Sequence, residues 1–218
     1  MKRSDIAQAL RLLKKAAREF RTPYVSEEAG TSRDPFRVLV SCILSLRTRD
    51  ETTAAASKRL FAIAPDPPSL ADLDTAAIER AVYPVGFYRS KAATLKEIAR
   101  RIVDEFGGAV PDTIEGLLEL RGVGRKTANL VVTMGFGKPG ICVDTHVHRI
   151  TNRWGLVSTP TPEKTEFALR ELLPRRYWIE INDLLVAYGQ NVCTPLSPWC
   201  SRCVVAHLCD AVGVARRR

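Results

Sequence analysis

Apolar residues along this chain recur mainly at spacings of three and four, which is the period of a helix with one buried face. In the first segment this pattern joins Ile6, Leu10, Leu13, Ala17 and Phe20. Few segments alternate between apolar and polar residues with a period of two, as a half-buried strand would. The pattern therefore predicts an all-α fold.

Proline, glycine and capping residues divide this pattern into separate helices. Asp34 followed by Pro35 predicts a helix start, because an aspartate side chain caps the first turn and proline fits its first position. The apolar run Phe36–Leu46 would also suit a buried strand, but no hairpin signal follows it, so we predict a helix there and another over Glu51–Ala64. Loops are predicted at Thr22-Pro23, at Glu27–Gly30 and around Pro65, Pro67 and Pro68. A second glycine turn, Pro84–Lys91, is predicted to open a helix that stops at Gly107-Gly108 and carries Leu95, Ile98, Ile102 and Phe106 on one face. The remaining predicted helices run from Asp74 to about Val82, from Pro111-Asp112 to Leu120, and over Thr145–Trp154, Pro162–Leu173 and Tyr177–Gly189.

The segment from Leu120 to Asp144 gathers the candidate chemistry. Gly122-Val123-Gly124 separates two predicted helices, and its glycines permit positive φ angles and a close approach of the backbone to a partner. The amide groups at the start of the second helix, at Arg125, favour an anion such as a phosphate. Lys126 stands on the first turn of that helix, and Asp144 follows where another helix is predicted to begin. A phosphate-binding turn, an amine and a carboxylate thus lie in one segment.

The charge of the chain indicates a polyanionic partner. Lys and Arg outnumber Asp and Glu by 33 to 24, which gives a net charge of +9. Such a balance is typical of proteins that bind nucleic acid or an anionic membrane surface. No apolar run approaches the roughly 18 residues that span a membrane, and the first residues lack the apolar core of a secretory signal. We therefore expect a cytoplasmic protein, and the charge leaves nucleic acid and a membrane surface both open as partners.

The cysteines fall into two groups. Cys42 and Cys142 stand alone among aliphatic residues, where a cysteine is usually a small buried apolar side chain. The other group has the spacing C-x6-C-x2-C-x5-C and consists of Cys193, Cys200, Cys203 and Cys209. Disulfides are the less favoured reading without a secretion signal. The spacing leaves zinc and an iron–sulfur cluster open, since only Cys200 and Cys203 form a close pair.

Three motifs in this order resemble the endonuclease III family: LRGVGRKTA at Leu120–Ala128, VDTH at Val143–His146, and the cysteine spacing. The resemblance extends from about Asp34 to Cys209. It implies the helix-hairpin-helix-GPD glycosylase fold, with a six-helix barrel domain at residues 28–138 that contains the helix-hairpin-helix. Residues 1–27 plus 139–218 would form a [4Fe–4S] cluster domain, with a DNA groove between the two domains. The clustered cysteines match the family's cluster ligands.

The resemblance also implies catalytic roles. Lys126 would be the nucleophile that attacks the sugar of a flipped nucleotide, forms a Schiff base and leads to β-elimination. The start of a helix, neighbouring Arg125 and partial burial are expected to lower the pKa of Lys126 and so favour its neutral amine. Asp144 would stabilise positive charge on the sugar and assist deprotonation. The alternatives are a solvated or phosphate-binding lysine and a helix cap at Asp144.

Two loops are expected to handle the damaged base. Ser45–Asp50 matches the loop that fills the hole left by the flipped nucleotide, and Arg47 stands where the family commonly has glutamine. Because arginine is a strong donor to guanine, we expect an altered opposite-base preference. Phe87 matches an apolar wedge that opens the base stack, with core packing as the alternative. The further expected DNA contacts are Gly122, Val123, Gly124, Arg125 and Thr145.

The loop between the first two clustered cysteines departs from the family pattern. Family members commonly carry lysine or arginine there, in contact with DNA phosphates, whereas Thr194–Trp199 holds no charge. Arg202 or the run Arg216–Arg218 would have to compensate. The simpler alternative is that this arginine run is a solvated tail.

The implied function is base-excision repair. The chain would be a monomeric DNA glycosylase and abasic-site lyase that removes oxidised pyrimidines such as thymine glycol from duplex DNA. It would be associated with the nucleoid in the cytoplasm and would not bind a membrane. One alternative is a glycosylase for uracil or thymine mispaired with guanine; another is a non-catalytic iron–sulfur protein that binds DNA damage. An adenine-specific glycosylase is disfavoured, because Lys126 is present and Ile43 stands where such enzymes carry a glutamate.

Overall fold

The computed structural model describes residues 1–20 and 24–218, and within them the regular elements are all helical, as predicted. No helix in these ranges has the length and apolar character needed to cross a membrane. The α-helices are α1 Ile6–Ala16, α2 Tyr24–Ser32, α3 Pro35–Ser45, α4 Asp50–Ile63, α5 Pro67–Asp72, α6 Thr75–Val82, α7 Tyr88–Phe106, α8 Ile114–Glu119, α9 Arg125–Leu130, α10 Thr145–Arg153, α11 Pro162–Leu172 and α12 Glu180–Asn191. A π-helical segment, Val131–Gly135, continues α9.

The chain divides into two compact units. The first unit consists of Met1–Thr22 and Pro139–Arg218, and the second is Pro23–Lys138. The first therefore contains α1, α10 to α12 and the clustered cysteines, whereas the second contains α2 to α9. The predicted assignment of residues 28–138 to a six-helix barrel and of the remainder to a cluster domain stays a prediction.

The apolar face of α1 anchors the core of the first unit. Ile6, Leu10 and Leu13 are almost fully buried and belong to one cluster with residues of α10 and α12. Each such side chain contributes roughly 1.5–3 kcal/mol when it leaves water. The spacing of three and four in this segment thus predicted its buried face correctly.

Helix α3 is the central element of the second unit. Its residues from Val38 to Leu44 are buried, and it packs against α2, α4, α7 and α9. A helix surrounded in this way has no polar face, which explains why its sequence also resembles a buried strand. Asp34 caps it as predicted, since the carboxylate accepts a hydrogen bond from the amide of Phe36 at 2.9 Å.

Helix α2 was missed, and the loop predicted at Glu27–Gly30 is wrong. A side-chain hydrogen bond within the helix and an ion pair to α3 stabilise it despite its glycine. Glu28 accepts a hydrogen bond from the Tyr24 hydroxyl at 3.0 Å and pairs with Arg37 of α3 at 2.5 Å. The predicted loop at Thr22-Pro23 lies outside the described residues.

Two helix starts also differ from the prediction. The prolines after Asp66 begin α5 instead of only breaking the chain, because Pro67 occupies the first turn and Asp66 caps it, accepting from the Ser69 amide at 2.9 Å. Helix α8 is capped by Thr113, whose hydroxyl accepts from the Gly116 amide at 3.2 Å, and not from Pro111-Asp112.

Candidate active site, lesion loops and metal centre

The turn between α8 and α9 needs a glycine at Gly122 but not, for its own geometry, at Gly124. The amide of Val123 donates to the carbonyl of Leu120 at 3.0 Å. Gly122 has a φ of +87°, and a Cβ atom there would lie 2.8 Å from Cγ2 of Thr94. Gly124 has a φ of −95°, and a Cβ there would meet nothing within 4 Å. The predicted positive φ is therefore confirmed at Gly122 and wrong at Gly124.

Gly124 is the N-cap of α9 and offers no side chain to cap that helix. The residues that follow divide by exposure. Lys126 is exposed, whereas Thr127 to Leu130 are buried. The partial burial expected for Lys126 is therefore wrong. Lys126 lies on the first turn of α9, at a helix start that no side chain caps, and Arg125 is half-buried next to it.

Cys42, on α3, lies close enough to Lys126 for an electrostatic interaction between the two side chains. Burial raises the pKa of the Cys42 thiol to about 12, and the positive charge of Lys126 opposes that rise. Cys42 and Cys142 are each only 2% exposed, which confirms that both are core residues. Cys42 therefore packs beneath the helix that presents Lys126 and stays a thiol at neutral pH.

Asp144 caps α10, which is one of the two roles predicted for it. Its Oδ1 accepts from the amides of His146 at 2.8 Å and Val147 at 2.9 Å. Both bonds use the same oxygen, so Oδ2 lies outside them. The cap fixes the orientation of the carboxylate, and Thr145 is exposed beside it. Asp144 belongs to the first unit and Lys126 to the second.

His146 packs against α12. Its Nδ1 lies 3.1 Å from Nη2 of Arg149, and a Cβ atom on Gly189 would come within 2.4 Å of the ring. Arg149 in turn donates to the carbonyl of Cys193 at 2.8 Å. Burial lowers the pKa of Arg149. This chain of contacts connects the cap at Asp144 to the first clustered cysteine.

The structure brings the two predicted lesion loops into contact. Arg47 and Phe87 both have left-handed backbone conformations, with φ of +52° and +59°. The guanidinium of Arg47 lies 5.7 Å from the centre of the Phe87 ring. Phe87 is 64% exposed, so the alternative of core packing is wrong. Gly86 allows the close approach, because a Cβ there would lie 2.7 Å from the carbonyl oxygen of Arg47.

Lys91 supports these loops and was missed from the sequence. Its side chain is 8% exposed, and Nζ donates to the carbonyls of Leu44 and Leu46 at 2.9 and 2.5 Å. Burial lowers the pKa of Lys91 to about 8. The sequence pattern does indicate this burial. Lys91 stands four residues before Leu95, on the apolar face of α7, at a position where the helical spacing predicts an aliphatic residue.

The clustered cysteines line one cavity of about 60 Å³, together with Tyr188 and Trp199. They form no disulfide. A single water needs roughly 10–15 Å³, so the cavity has room for a group of several atoms. Across residues 1–20 and 24–218, no three Cys, His, Asp or Glu side chains converge on one metal-ion position.

Hydrogen bonds to sulfur are also present at this cavity. The amide of Ala211 donates to Sγ of Cys209 at 3.3 Å, and Nη1 of Arg153 donates to Sγ of Cys193 at 3.4 Å. Donors of this kind stabilise thiolates, which are the form that binds a metal. Burial raises the pKa values of the Cys203 and Cys209 thiols, so a bound cation is needed to keep them as thiolates at neutral pH.

Within the run Arg216–Arg218, the last residue packs against the loop Thr194–Trp199, although all three arginines are exposed. The amide of Arg218 donates to the carbonyl of Pro198 at 2.8 Å, and its guanidinium stacks 3.9 Å from the Trp199 ring centre. The Ser201 amide donates to the Arg218 carbonyl at 2.9 Å. Arg216 and Arg217 are exposed. Positive charge thus lies beside the uncharged loop Thr194–Trp199.

Comparison with known proteins assigns the family. Residues 40–175 match the HhH-GPD superfamily of base excision DNA repair proteins. The chain belongs to this superfamily. It is 50% identical over 177 residues to Endonuclease III of Thermotoga maritima, which covers 81% of this chain and 83% of that protein. The chain is therefore an endonuclease III homologue, as its motifs predicted.

Solved structures of this HhH-GPD family have the same fold. The chain matches the structure of a non-covalent Endonuclease III–DNA complex with a TM-score of 0.83 and 30% identity, over 96% of this chain and 95% of that one. It matches the structure of a trapped Endonuclease III–DNA covalent intermediate with a TM-score of 0.84 and 30% identity, over 96% of both chains. The predicted helix-hairpin-helix-GPD fold is thereby confirmed.

Proposed function

We propose that this chain removes oxidised pyrimidines, with thymine glycol as the reference substrate, from duplex DNA through a Schiff base on Lys126. As a member of the endonuclease III family the chain is a base excision repair enzyme, a DNA glycosylase and abasic-site lyase. The observation that carries the proposal is the position of Lys126, an exposed residue on the first turn of α9, directly after the glycine turn.

The proposed chemistry assigns the bond changes to two side chains. The neutral amine of Lys126 forms a bond to C1′ of the damaged nucleotide, and the bond from C1′ to the base breaks, so that the base leaves with the electron pair and takes up a proton. Opening of the sugar ring gives an imine to Lys126. Removal of a proton from C2′ then expels the 3′ phosphate. Asp144, held by its cap, would face the positive charge on the sugar with Oδ2.

The DNA contacts proposed for the hairpin follow from its backbone. The open space at Gly124 and the uncapped start of α9 favour a phosphate against Gly122-Val123-Gly124 and Arg125. Thr145, exposed at the start of α10, would offer a further contact. The net charge of +9 supports a polyanionic partner, and the matched structures are DNA complexes of Endonuclease III. We propose that the chain acts on this DNA as a monomer.

The lesion loops are proposed to open the base stack. The exposed ring of Phe87 would act as the wedge between bases, and Arg47 would enter the hole left by the flipped nucleotide. A guanidinium donates well to the O6 and N7 acceptors of guanine. We therefore expect faster excision opposite guanine than opposite adenine.

The clustered cysteines are proposed to hold a [4Fe–4S] cluster. The support is a cavity with room for several atoms, lined by Cys193, Cys200, Cys203 and Cys209 and carrying hydrogen-bond donors to sulfur. Bound there, the cluster would cross-link the end of α12 to the segment that follows it. A brown protein with iron and acid-labile sulfide in a ratio of about one is the expected result, and zinc without sulfide would contradict it.

Borohydride trapping tests the proposed activity. Wild type, Lys126→Ala and Asp144→Asn are incubated with duplexes that contain one thymine glycol, one G·T or G·U mismatch, or one abasic site, and reduced adducts are counted. Lys58→Ala is the matched control, because Lys58 is an exposed lysine of the same unit. We expect an adduct on thymine glycol with wild type and Lys58→Ala and none with Lys126→Ala.

Each other outcome selects another function. An adduct only on the mismatched duplexes would establish the uracil or thymine mismatch glycosylase. No adduct on any duplex, with binding to damaged DNA retained, would establish a damage-binding protein without catalysis. An adduct that persists in Lys126→Ala would show that another amine is the nucleophile.

A further inference from the structure

Lys91 is a buried lysine whose donors are all directed at one short segment. With only 8% of its side chain exposed, Nζ donates to the carbonyls of Leu44 at 2.9 Å and Leu46 at 2.5 Å and to the hydroxyl Oγ1 of Thr48 at 3.2 Å. An ammonium group has three donors, so this set satisfies it. Lysine is almost never buried, because removing its charge from water is costly. Its burial at this place therefore calls for a specific role.

The first consequence concerns the end of α3. The carbonyls of Leu44 and Leu46 lie in the last turn and at the C-cap, where a helix has carbonyl groups without an intrahelical partner. A cation is also favoured at this end of a helix by the alignment of peptide dipoles. Lys91 thus caps α3 from the neighbouring helix α7. It does so immediately before the left-handed residue Arg47.

The second consequence concerns the turn that carries Phe87. Oγ1 of Thr48 accepts a hydrogen bond from Nζ of Lys91 and another from the amide of Gly86, both at 3.2 Å. The same hydroxyl donates to the carbonyl of Leu46 at 3.2 Å. Phe87 follows Gly86 directly and is the N-cap of α7, the helix on which Lys91 stands. One polar network therefore holds the backbone of both exposed loops.

These loops need support from outside their own sequence. Arg47 and Phe87 have positive φ angles of +52° and +59°, a conformation that costs an L-residue of this size roughly 1–2 kcal/mol. Neither is a glycine or an asparagine, and both side chains point away from the core as exposed groups. A loop that is already ordered loses less conformational entropy when it enters a binding partner.

We propose that Lys91 is a positioning residue for lesion recognition, which holds Arg47 and Phe87 together as one preassembled element before it enters the damaged duplex. The inference rests on the proposed function, because that function makes these two side chains the ones that open the stack. Lys91 touches neither the DNA nor the reacting atoms. It acts through the carbonyls of α3 and the hydroxyl of Thr48.

The chain offers a matched control for general stability. Lys96 stands on the same helix α7, and its Nζ donates to the carbonyl of Leu73 at 2.5 Å, at the end of α5. Lys96→Met therefore removes a lysine that also caps a helix but is not bonded to the loops. Lys91→Met removes the three donors and keeps the length of the side chain. The two variants separate loop positioning from a loss of helix capping.

The experiment has two readouts. Hydrogen exchange followed by mass spectrometry measures the order of residues 45–50 and 84–90 without DNA. Single-turnover excision at saturating enzyme measures the rate on thymine glycol opposite guanine and opposite adenine. In Lys91→Met we expect faster exchange in both segments, an excision rate lower by about tenfold, a smaller preference for guanine and unchanged affinity for undamaged duplex. In Lys96→Met we expect wild-type loop exchange and an excision rate within about twofold of wild type.

The outcomes that overturn the proposal are distinct. Wild-type exchange of both segments in Lys91→Met, or equal loss of excision in both lysine variants, would show that Lys91 only stabilises the fold. If Lys91→Met does not fold, Thr48→Val removes the shared hydroxyl at nearly constant volume, and unchanged exchange at residues 84–90 would then refute the network. If wild type does not excise thymine glycol, the proposed function fails, whereas the exchange experiment still decides whether Lys91 orders the loops.

Discussion

Two glycines of one turn are expected to respond in opposite ways to the same substitution. Gly122 has a φ of +87° and no space for a Cβ atom, because Cγ2 of Thr94 would lie 2.8 Å from it. Gly124 has a φ of −95° and nothing within 4 Å of the corresponding position. Gly122→Ala therefore lowers the stability of the fold. Gly124→Ala changes only the surface that we propose for DNA.

The expected loss of stability in Gly122→Ala has two parts. The left-handed backbone costs alanine about 1–2 kcal/mol, and the displaced methyl group of Thr94 costs about 1–3 kcal/mol. We expect a total of about 2–5 kcal/mol in urea unfolding, compared with a typical stability of about 5–15 kcal/mol. Thr94→Ser removes the clashing methyl group and keeps the hydroxyl. In that background Gly122→Ala should cost at least about 1 kcal/mol less, as a double-mutant cycle would show.

Gly124→Ala is expected to keep or slightly increase stability, by up to about 1 kcal/mol, because alanine has fewer unfolded conformations than glycine. Its methyl group would stand where we propose that a phosphate approaches the backbone. The loss of one charged hydrogen bond corresponds to about tenfold weaker duplex binding in a fluorescence anisotropy titration. Unchanged DNA affinity in Gly124→Ala would refute the proposed phosphate position. A stable Gly122→Ala would refute the reasoning on backbone and space.

Three further predictions concern charge and metal. Burial lowers the pKa of Lys91 from 10.5 to about 8. Between these pH values the unfolded chain therefore binds more protons than the folded chain, so a rise in pH favours the folded state. The free energy of unfolding of wild type relative to Lys91→Met should rise across this window by at most about 3 kcal/mol. A difference that stays flat in urea unfolding from pH 7 to 10.5 would contradict it. Replacement of both Arg216 and Arg217 by alanine should reduce the slope of log affinity against log salt by about 1–2, or leave it unchanged if these arginines do not meet phosphates. Cys203→Ala should abolish the visible absorption and acid-labile sulfide of the purified protein, and full retention of sulfide would remove this cysteine from the ligand set.

Features that depend on a few neighbouring residues could be predicted from the sequence. The caps at Asp34 and Asp144 were found because an aspartate acts on amides two or three residues away. The glycine turn was found because the positive φ angle at Gly122 is also a property of the local backbone. Helix α2 was missed, because an ion pair between Glu28 and Arg37 belongs to the packing of two helices and has no local signature. Propensity is overridden where tertiary contacts of this kind accumulate.

The pairing of Arg47 with Phe87 shows where such prediction ends and what would extend it. Each residue was assigned to a lesion loop separately, and nothing in the local pattern placed the loops against each other. The sequence did contain one indication of that contact, because Lys91 is a charged residue on the apolar face of α7. A buried ammonium group must find acceptors, and the helix's own carbonyls in that turn are already used in its hydrogen bonds. A lysine at such a position therefore predicts that a distant segment ends there with free carbonyl groups, although only the structure identifies that segment as the end of α3.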